Sequence, residues 1–299
     1  MSSQHALKMK IAPWALLAVS ASWGMAFVVM KDAIERQSVN NFLFSRFSLA
    51  VLVMLALRPS VVKRIDRDLL LRAASAGVFL GFGYIFQTLG LERTTPAITG
   101  FITGLYVVFT PLIASVFLKE KLTLLMWGYI ALAVIGLAVL SVDGWSIGLG
   151  EVFVLVSAVL FAVHIILLGS WSKKFDAYAL TVMQLIGCAI LSAIPASVNG
   201  FVAPPDMQVW SVIIFTAIFA TAFAFVIQTW SQARISTTKV AVILTMEVVF
   251  AALFSFMYGM EPFTLRLAIG GTLVLIAMLA IVQPICSIDF SSGSDSIVT

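Results

Sequence analysis

Residues 81–100 read GFGYIFQTLGLERTTPAITG, and their polar frame occurs a second time 141 positions further along the chain. Five polar residues of the first copy have an identical partner in the second: Gln87 and Gln228, Thr88 and Thr229, Arg93 and Arg234, Glu120 and Glu261, and Thr123 and Thr264. No gap is needed to align them. Chance rarely produces such a frame between otherwise apolar segments. We therefore interpret it as an internal duplication, which bears on the whole fold.

The composition is that of a membrane protein. Of the 299 residues, 61% are hydrophobic and 11% are charged, whereas soluble domains carry about 25% charged residues. A helix of about 20 apolar residues crosses the hydrocarbon layer, and the chain contains ten such runs. The predicted spans are residues 13–32, 42–58, 71–91, 97–118, 123–142, 148–170, 177–198, 209–231, 238–257 and 264–283. The predicted fold class is an all-α integral membrane protein with ten transmembrane helices.

The placement of basic residues predicts the orientation in the membrane. Most of the 18 Lys and Arg residues lie in loops on the same side as the N-terminus, and such loops are cytoplasmic under the positive-inside rule. Both termini are therefore predicted to be cytoplasmic. The net charge of +4 reflects this bias and does not indicate a nucleic-acid partner.

The duplication and the span count together predict inverted repeats. Each half holds five spans, so the second copy must enter the membrane from the opposite side. We assign residues 1–12 to a cytoplasmic segment, 13–144 to the first repeat, 145–284 to the second, and 285–299 to a disordered cytoplasmic tail. Inverted repeats are typical of secondary transporters, which bind substrate near the bilayer midplane and expose it alternately to each side.

The repeated polar residues are candidates for gates or hinges at the two mouths. Inversion is expected to put one copy near the outer face and the other near the cytoplasm. The candidates are Gln87, Thr88, Arg93, Glu120, Gln228, Thr229, Arg234 and Glu261. The competing interpretation is that the charged members only anchor helix ends in the headgroup layer.

Ionisable residues within spans are costly and hence functional candidates. Glu247 lies near the middle of span nine, where it could receive a substrate ammonium group or a coupling proton, or else fix helix packing through hydrogen bonds. His164 in span six could respond to protons or simply pack. Arg46 lies a few residues from the end of span two, within snorkelling distance of the interface.

The remaining cavity candidates are small or aromatic residues on spans one, three and four: Trp23, Gly24, Tyr84, Phe101 and Tyr106. Tyr106 and Glu247 are separated by the same 141 positions as the repeated residues, so one half offers an aromatic ring where the other offers a carboxylate. Such a pair could receive the side chain and the ammonium group of an amino acid.

Motifs for other chemistries are missing from the sequence. It contains no GxxxxGK[ST] phosphate loop, HExxH or GxSxG, and the spacing of Cys188 and Cys286 suggests neither a disulfide nor a metal site. We predict no catalytic residues, no metal, no cofactor and no ATPase subunit.

Several motifs resemble the drug/metabolite transporter superfamily, specifically its EamA branch. They are Trp23-Gly24 with Phe27, Arg46-Phe47, Glu120, Gln184, and Met246-Glu247 with Glu261. The last group resembles the branch's LEPV...GE signature, with Val248 in place of the usual proline. The resemblance covers nearly the whole chain.

Within the branch, the sequence is similar to the YddG-type exporters of aromatic and hydrophobic amino acids. This resemblance implies a central cavity lined by spans one, three, four, six, eight and nine. It also implies export from the cytoplasm through the bacterial inner membrane. Another metabolite or a drug is the alternative cargo. A passive channel and a membrane-embedded enzyme are the alternatives of a different class.

Overall fold

The computed structural model describes residues 3–117, 119, 123–141, 148–198, 200–260, 262 and 264–286. Regular structure within these ranges is entirely helical. The α-helices are α1 (Ser3–Arg36), α2 (Val39–Leu57), α3 (Arg67–Arg93), α4 (Pro96–Gly104), α5 (Tyr106–Phe117), α6 (Leu124–Ser141), α7 (Leu149–Trp171), α8 (Ala177–Val198), α9 (Met207–Ala217), α10 (Ala224–Gln232), α11 (Thr237–Leu244), α12 (Met246–Met257) and α13 (Leu265–Cys286). A 3₁₀ helix at Pro59–Arg64 and a π-helical turn at Ile218–Phe223 complete the list.

Eight helical segments of the described chain are long and apolar enough to cross a membrane. They are α1, α2, α3, α4 with α5, α7, α8, α9 with α10, and α11 with α12. Two shorter apolar stretches, Leu124–Gly136 and Ala268–Ala277, lie within α6 and α13. Eight of the ten stretches that the sequence predicts as spans are therefore helices of membrane-spanning length, and the other two contain the shorter apolar stretches. The tail expected at residues 285–299 lies outside the described residues from 287 onward.

Polar residues in the short connectors begin several of these helices. The carboxylate of Asp66 accepts a hydrogen bond from the Leu69 amide at 2.7 Å, and Asp206 accepts one from Val209 at 3.0 Å. Thr95 caps α4 in the same way, ahead of a proline in the first turn. Side-chain caps of this kind satisfy amides that the first helical turn leaves free. The helix starts are thus encoded locally.

Spans four and nine are both interrupted near their middle. Leu105 separates α4 from α5, and Thr245 separates α11 from α12. At each point a tight turn replaces α-helical bonding, because Val108 donates to the Leu105 carbonyl and Val248 donates to the Thr245 carbonyl, three residues back. The Thr245 hydroxyl also donates to the Val242 carbonyl at 2.6 Å, a contact that bends helices.

These interruptions differ from what the proline suggests. Thr110-Pro111 predicts a bend at that point of span four. The matching positions of the second half, Ala251 and Ala252, contain no proline, so the two halves need not bend alike. In the structure Pro111 lies inside α5, and the break falls earlier, at Leu105. The second half breaks as well, without a proline, since the Thr245 hydroxyl competes for a backbone carbonyl.

Glycines allow the helices to approach closely. A Cβ atom placed on Gly24 of α1 would lie 2.6 Å from Phe250 Cβ and 2.8 Å from the Glu247 carbonyl oxygen of α12. One placed on Gly136 of α6 would lie 2.8 Å from the Gly270 carbonyl oxygen of α13. Small residues at such crossings are typical of membrane helices, which associate through close packing. The α1 and α12 contact brings residues of both halves to the centre of the bundle.

Candidate functional site

A cavity of about 520 Å³ lies among the helices of the two halves. It is lined by α1, α2, α3, α4, α5, α7, α10, α11 and α12, which correspond to predicted spans one, two, three, four, six, eight and nine. The lining residues are Trp23, Ala26, Phe27, Met30, Arg46, Leu80, Tyr84, Gln87, Thr103, Tyr106, Phe161, His164, Ile165, Phe225, Gln228, Leu244 and Glu247. Span two contributes Arg46 in addition to the six spans named from sequence.

Residues of the two repeats line this cavity in matched pairs. Four such pairs, each separated by 141 positions, fall within the duplicated stretch: Tyr84 and Phe225, Gln87 and Gln228, Thr103 and Leu244, and Tyr106 and Glu247; outside that stretch, Trp23 and His164 have the same spacing. The cavity is therefore built from equivalent positions of the duplicated stretch. Two of the pairs change in chemical character, and the change from Tyr106 to Glu247 introduces a charge.

An aromatic wall surrounds Tyr84. The Tyr84 ring meets the rings of Phe47 and Phe161 edge to face, with both centroid distances at 5.3 Å, and that of Phe225 at 6.0 Å. Trp23 continues the wall, 5.6 Å from Phe225. Edge-to-face contacts hold rings in fixed orientations. The wall therefore offers a rigid apolar surface to a ligand.

Glu247 is the acidic residue of the cavity lining, and it has no partner among the described residues. Its side chain is only 4% exposed and makes no hydrogen bond or ion pair with any residue that the structure describes. Two further polar atoms of the lining, Tyr106 Oη and Gln228 Oε1, are buried without a hydrogen-bond partner among the described residues. Buried polar groups are normally satisfied, since leaving one unpaired is costly. These three groups could all accept or donate bonds to a ligand.

Arg46 is buried inside the helical bundle at 1% exposure. Its Nε donates to Thr221 Oγ1 at 2.7 Å, and its Nη2 donates to the Ala220 carbonyl oxygen at 3.3 Å. The guanidinium carbon lies 4.9 Å from the centre of the Tyr84 ring, a cation–π contact. The expectation that Arg46 snorkels is therefore wrong, because α2 begins at Val39 and carries this position inside the bundle.

The acceptors of Arg46 belong to the π-helical turn at Ile218–Phe223. The Ala220 carbonyl oxygen also accepts a hydrogen bond from Trp23 Nε1 at 2.8 Å. One backbone oxygen thus contacts α1 and α2 together. π-Helical turns occur mostly as single turns within α-helices and are frequent at functional sites.

His164 is buried and paired. One ring nitrogen, Nε2, lies 2.8 Å from Gln184 Oε1, and the ring contacts Phe225 edge to face at 5.9 Å. The amide nitrogen of Gln184 has no hydrogen-bond partner among the described residues. Sequence reasoning offers no polar partner for His164, because Gln184 lies 20 positions away on another helix.

Four of the gate candidates are buried inside the helical bundle. Gln87 and Gln228 both line the one cavity, and Gln87 Nε2 donates to Thr103 Oγ1 at 3.1 Å. Thr88 and Thr229 are buried at 1% and 0% exposure. Thr88 precedes the end of α3 at Arg93 by five residues, and Thr229 precedes the end of α10 at Gln232 by three.

The charged gate candidates lie at helix ends where they are described. Arg93 contacts Glu92 and the Leu89 carbonyl on the surface. Arg234 stacks on the Trp230 ring at 4.1 Å and donates to the Trp230 carbonyl. It borders a second groove of about 1060 Å³. Glu120 and Glu261 lie outside the described residues.

Two cavity candidates do not line the cavity. Gly24 lies in the crossing of α1 with α12, and Phe101 is partly buried against the neighbouring apolar core. Sequence reasoning also missed Phe161 and Phe225. The repeat spacing of 141 positions would have predicted Phe225, since it matches Tyr84 at that spacing. Phe161 has no sequence signal beyond its place in an apolar span.

No group of three or more His, Cys, Asp or Glu side chains that could hold a metal occurs within the described ranges. The fold and the cavity define a multi-pass helical membrane protein. The sequence profile of the EamA-like transporter family matches residues 10–142 and again residues 148–283. The chain belongs to this family, and it is a transporter rather than an enzyme.

Curated relatives share this assignment. An uncharacterized transporter of Archaeoglobus fulgidus is 31% identical over 92% of this chain and 87% of its own. A "Probable terminal-alkyne amino-acid exporter" of Streptantibioticus cattleyicolor is 25% identical over 92% of this chain and 94% of its own. The "Pseudopaline exporter" of Pseudomonas aeruginosa is 24% identical over 89% and 94%. A solved crystal structure superimposes with a TM-score of 0.74 over 94% of this chain and 99% of its own, at 17% identity, and shares the fold.

Proposed function

We propose that this protein is a secondary transporter that exports small amphipathic metabolites, chiefly aromatic and hydrophobic amino acids, by alternating access. The observation that carries the proposal is the cavity lined by equivalent residues of the two repeats. In inverted-repeat transporters the substrate site lies at the repeat interface, beside interrupted helices. Tyr106 and Glu247 lie directly after the breaks at Leu105 and Thr245.

The proposed architecture is ten membrane helices in two inverted repeats of five. In it α6 and α13 are the fifth and tenth spans, and their close contact at Gly136 and Gly270 supports a shared membrane location. The bias of basic residues supports cytoplasmic termini and an orientation in the bacterial inner membrane that would export its cargo.

The lining supports an amphipathic cargo. Trp23, Tyr84, Phe161 and Phe225 offer apolar surface, while Glu247, Tyr106 and Gln228 offer polar groups without a partner in the described part of the chain. Two relatives are named as exporters, one as a "Probable terminal-alkyne amino-acid exporter" and the other as a "Pseudopaline exporter".

Transport by purified protein in liposomes tests the proposal. We expect saturable uptake of labelled phenylalanine or leucine that is accelerated when the vesicles are preloaded with the unlabelled amino acid. Such exchange requires a site that alternates between two faces. Protein-free liposomes are the control. Flux that rises linearly with concentration, without exchange, would indicate a channel and contradict the proposal.

The same assay addresses the alternative cargo. Amino acids, cationic drugs and larger zwitterions are offered as competitors of the labelled substrate. A multidrug exporter of the same family would be inhibited best by drugs, whereas the proposed amino-acid exporter is inhibited best by apolar amino acids.

A further inference from the structure

The cavity contains two opposite charges that do not pair with each other. Arg46 and Glu247 both line it, yet no ion pair of 4.0 Å or less joins them or connects Arg46 to any other carboxylate in the part of the chain that the structure describes. Charges removed from water are stabilised mainly by an opposite charge or by several hydrogen bonds. Neither residue has a charged partner among the residues that the structure describes.

The hydrogen bonds of Arg46 leave part of its guanidinium free. A guanidinium carries five N–H groups, and three hydrogen bonds have defined geometry: to Thr221 Oγ1, to the Ala220 carbonyl and to the sulfur of Met30 at 3.3 Å. The Tyr84 hydroxyl also lies near the guanidinium. The sulfur is a weak acceptor. Each terminal nitrogen therefore retains an N–H for another acceptor, and carboxylates are the preferred acceptors of arginine.

The surroundings hold the guanidinium in place. Nε and Nη2 are bound to the π-helical turn, and Tyr84 lies beneath the charge. Glu247 belongs to the second half of the chain, where it lies in the first turn of α12. The aromatic wall around Tyr84, Phe161 and Phe225 belongs to the same cavity.

A zwitterion neutralises both charges at once, whereas an amine or a carboxylic acid neutralises only one. We infer that Arg46 binds the substrate carboxylate and Glu247 binds its ammonium group. The substrate class is then the free α-amino acid with an apolar side chain, as distinct from an amine or an N-acylated amino acid. This inference rests on the proposed transport function and names the recognition elements of its site.

The test compares three probes of one carbon skeleton on full-length protein in liposomes. Free phenylalanine carries both charges, phenethylamine lacks the carboxylate, and N-acetylphenylalanine lacks the ammonium group. Leucine, isopentylamine and N-acetylleucine form a second set. Each probe competes against the labelled amino acid, and its binding is also measured by thermal shift. Wild-type protein should prefer the free amino acid over both derivatives by roughly tenfold to a hundredfold, the range for a hydrogen bond to a charged group.

The variants separate the two subsites. Arg46→Gln should lose the preference over the amine and keep the preference over the N-acetyl derivative, and Glu247→Gln should do the converse. Each result is a ratio within one variant, so differences in expression cancel. Arg72→Gln is the matched control, because Arg72 lies at a partly exposed position of α3 and pairs with Asp68 at 2.7 Å. It should keep the wild-type ratios.

The outcomes distinguish this inference from the transport proposal. Wild-type protein that transports phenylalanine but binds phenethylamine equally well would overturn the carboxylate subsite and leave transport intact. A folded Arg46→Gln protein with unchanged ratios would show that Arg46 only ties α2 to the π-helical turn. If that variant does not fold, the carboxylate subsite is tested by the ratios of Arg46→Lys and of the wild-type protein instead. Failure of wild-type protein to bind or move any amino acid would overturn the proposed function itself.

Discussion

Individual residues of the membrane interior differ in how their polarity is satisfied. Arg46 donates to three acceptors and lies on an aromatic ring, whereas Glu247 has no partner among the described residues. From sequence position alone, Glu247 is expected to lie deeper in the membrane than Arg46, since Glu247 is at the middle of its predicted span and Arg46 is near an end. Packing of α2 against α8 and the π-helical turn explains why Arg46 is nevertheless buried. Burial thus depends on which helices surround a position as well as on its depth.

Gly24→Ala is expected to destabilise the protein by about 1–3 kcal/mol, the usual cost of overpacking. The added methyl group would lie 2.6 Å from Phe250 Cβ and 2.7 Å from the Ala251 amide nitrogen, so α1 and α12 must separate. Thermal unfolding of the detergent-solubilised protein measures the effect.

Gly100→Ala is the matched control. It faces the same helix α12, but its added methyl group would lie 3.7 Å from Ala251 Cβ, an ordinary contact distance. Its melting temperature should remain close to that of the wild type. Equal melting temperatures for the two variants would mean that the crossing is not tightly packed.

Among the helices, the interrupted ones contribute the key parts of the cavity. α5 and α12 begin with Tyr106 and Glu247 in their first turns, directly after the breaks. The π-helical turn between α9 and α10 provides the carbonyl oxygen that binds Trp23 and Arg46. Irregular backbone within a membrane is tolerated where it lies inside protein or borders a cavity. The three irregular elements therefore occur where they lie inside the protein or border the cavity.

Thr221→Val is expected to destabilise the protein by about 1.5–3 kcal/mol, the value for a hydrogen bond to a charged group. Valine has nearly the same shape but removes the oxygen that accepts from Arg46 Nε at 2.7 Å. Thermal unfolding and the affinity for labelled substrate are the measurements.

Thr221→Ser retains the hydroxyl and serves as the control. It should keep most of the stability that the valine variant loses, although it lacks the methyl group. Comparable losses in both variants would indicate that Thr221 contributes through packing and that its bond to Arg46 is of little importance.

At the level of the whole molecule, the two copies of the repeated stretch lie on one cavity. Gln87 and Gln228 share it, and their neighbours Thr88 and Thr229 are fully buried beside it. In an alternating-access cycle, each copy would become accessible from one side of the membrane in turn. The conformation described here buries both copies.

Cysteines at positions 88 and 229 are expected to react with an impermeant maleimide from opposite sides of the membrane. The parent for this experiment has Cys188 and Cys286 replaced. Substrate should change the two labelling rates in opposite directions, because opening one side closes the other. Labelling in right-side-out and inverted vesicles gives the rates.

Ser60→Cys is the control for this labelling, since Ser60 is exposed on the 3₁₀ helix after α2. Its rate should not depend on substrate. Simultaneous labelling of positions 88 and 229 from both sides would describe an open pore and would contradict alternating access.

The sequence by itself determined that this is a helical membrane protein of the EamA-like family and where its helices lie. Those properties follow from apolar run length, capping residues and the repeated polar frame, all of which are read along the chain. It also identified five of the lining residues, Trp23, Tyr84, Tyr106, His164 and Glu247, because polar and aromatic residues inside spans are conspicuous.

Only the tertiary structure decided which of these residues meet. Arg46, Phe161 and Phe225 line the cavity although the sequence did not place them there, whereas Gly24 and Phe101 do not line it. Gln87 and Gln228 both line the same cavity. The physical reason is that contacts between distant helices depend on their crossings and on local breaks such as those at Leu105 and Thr245. Neither the crossings nor the π-helical turn has a signature in local hydropathy.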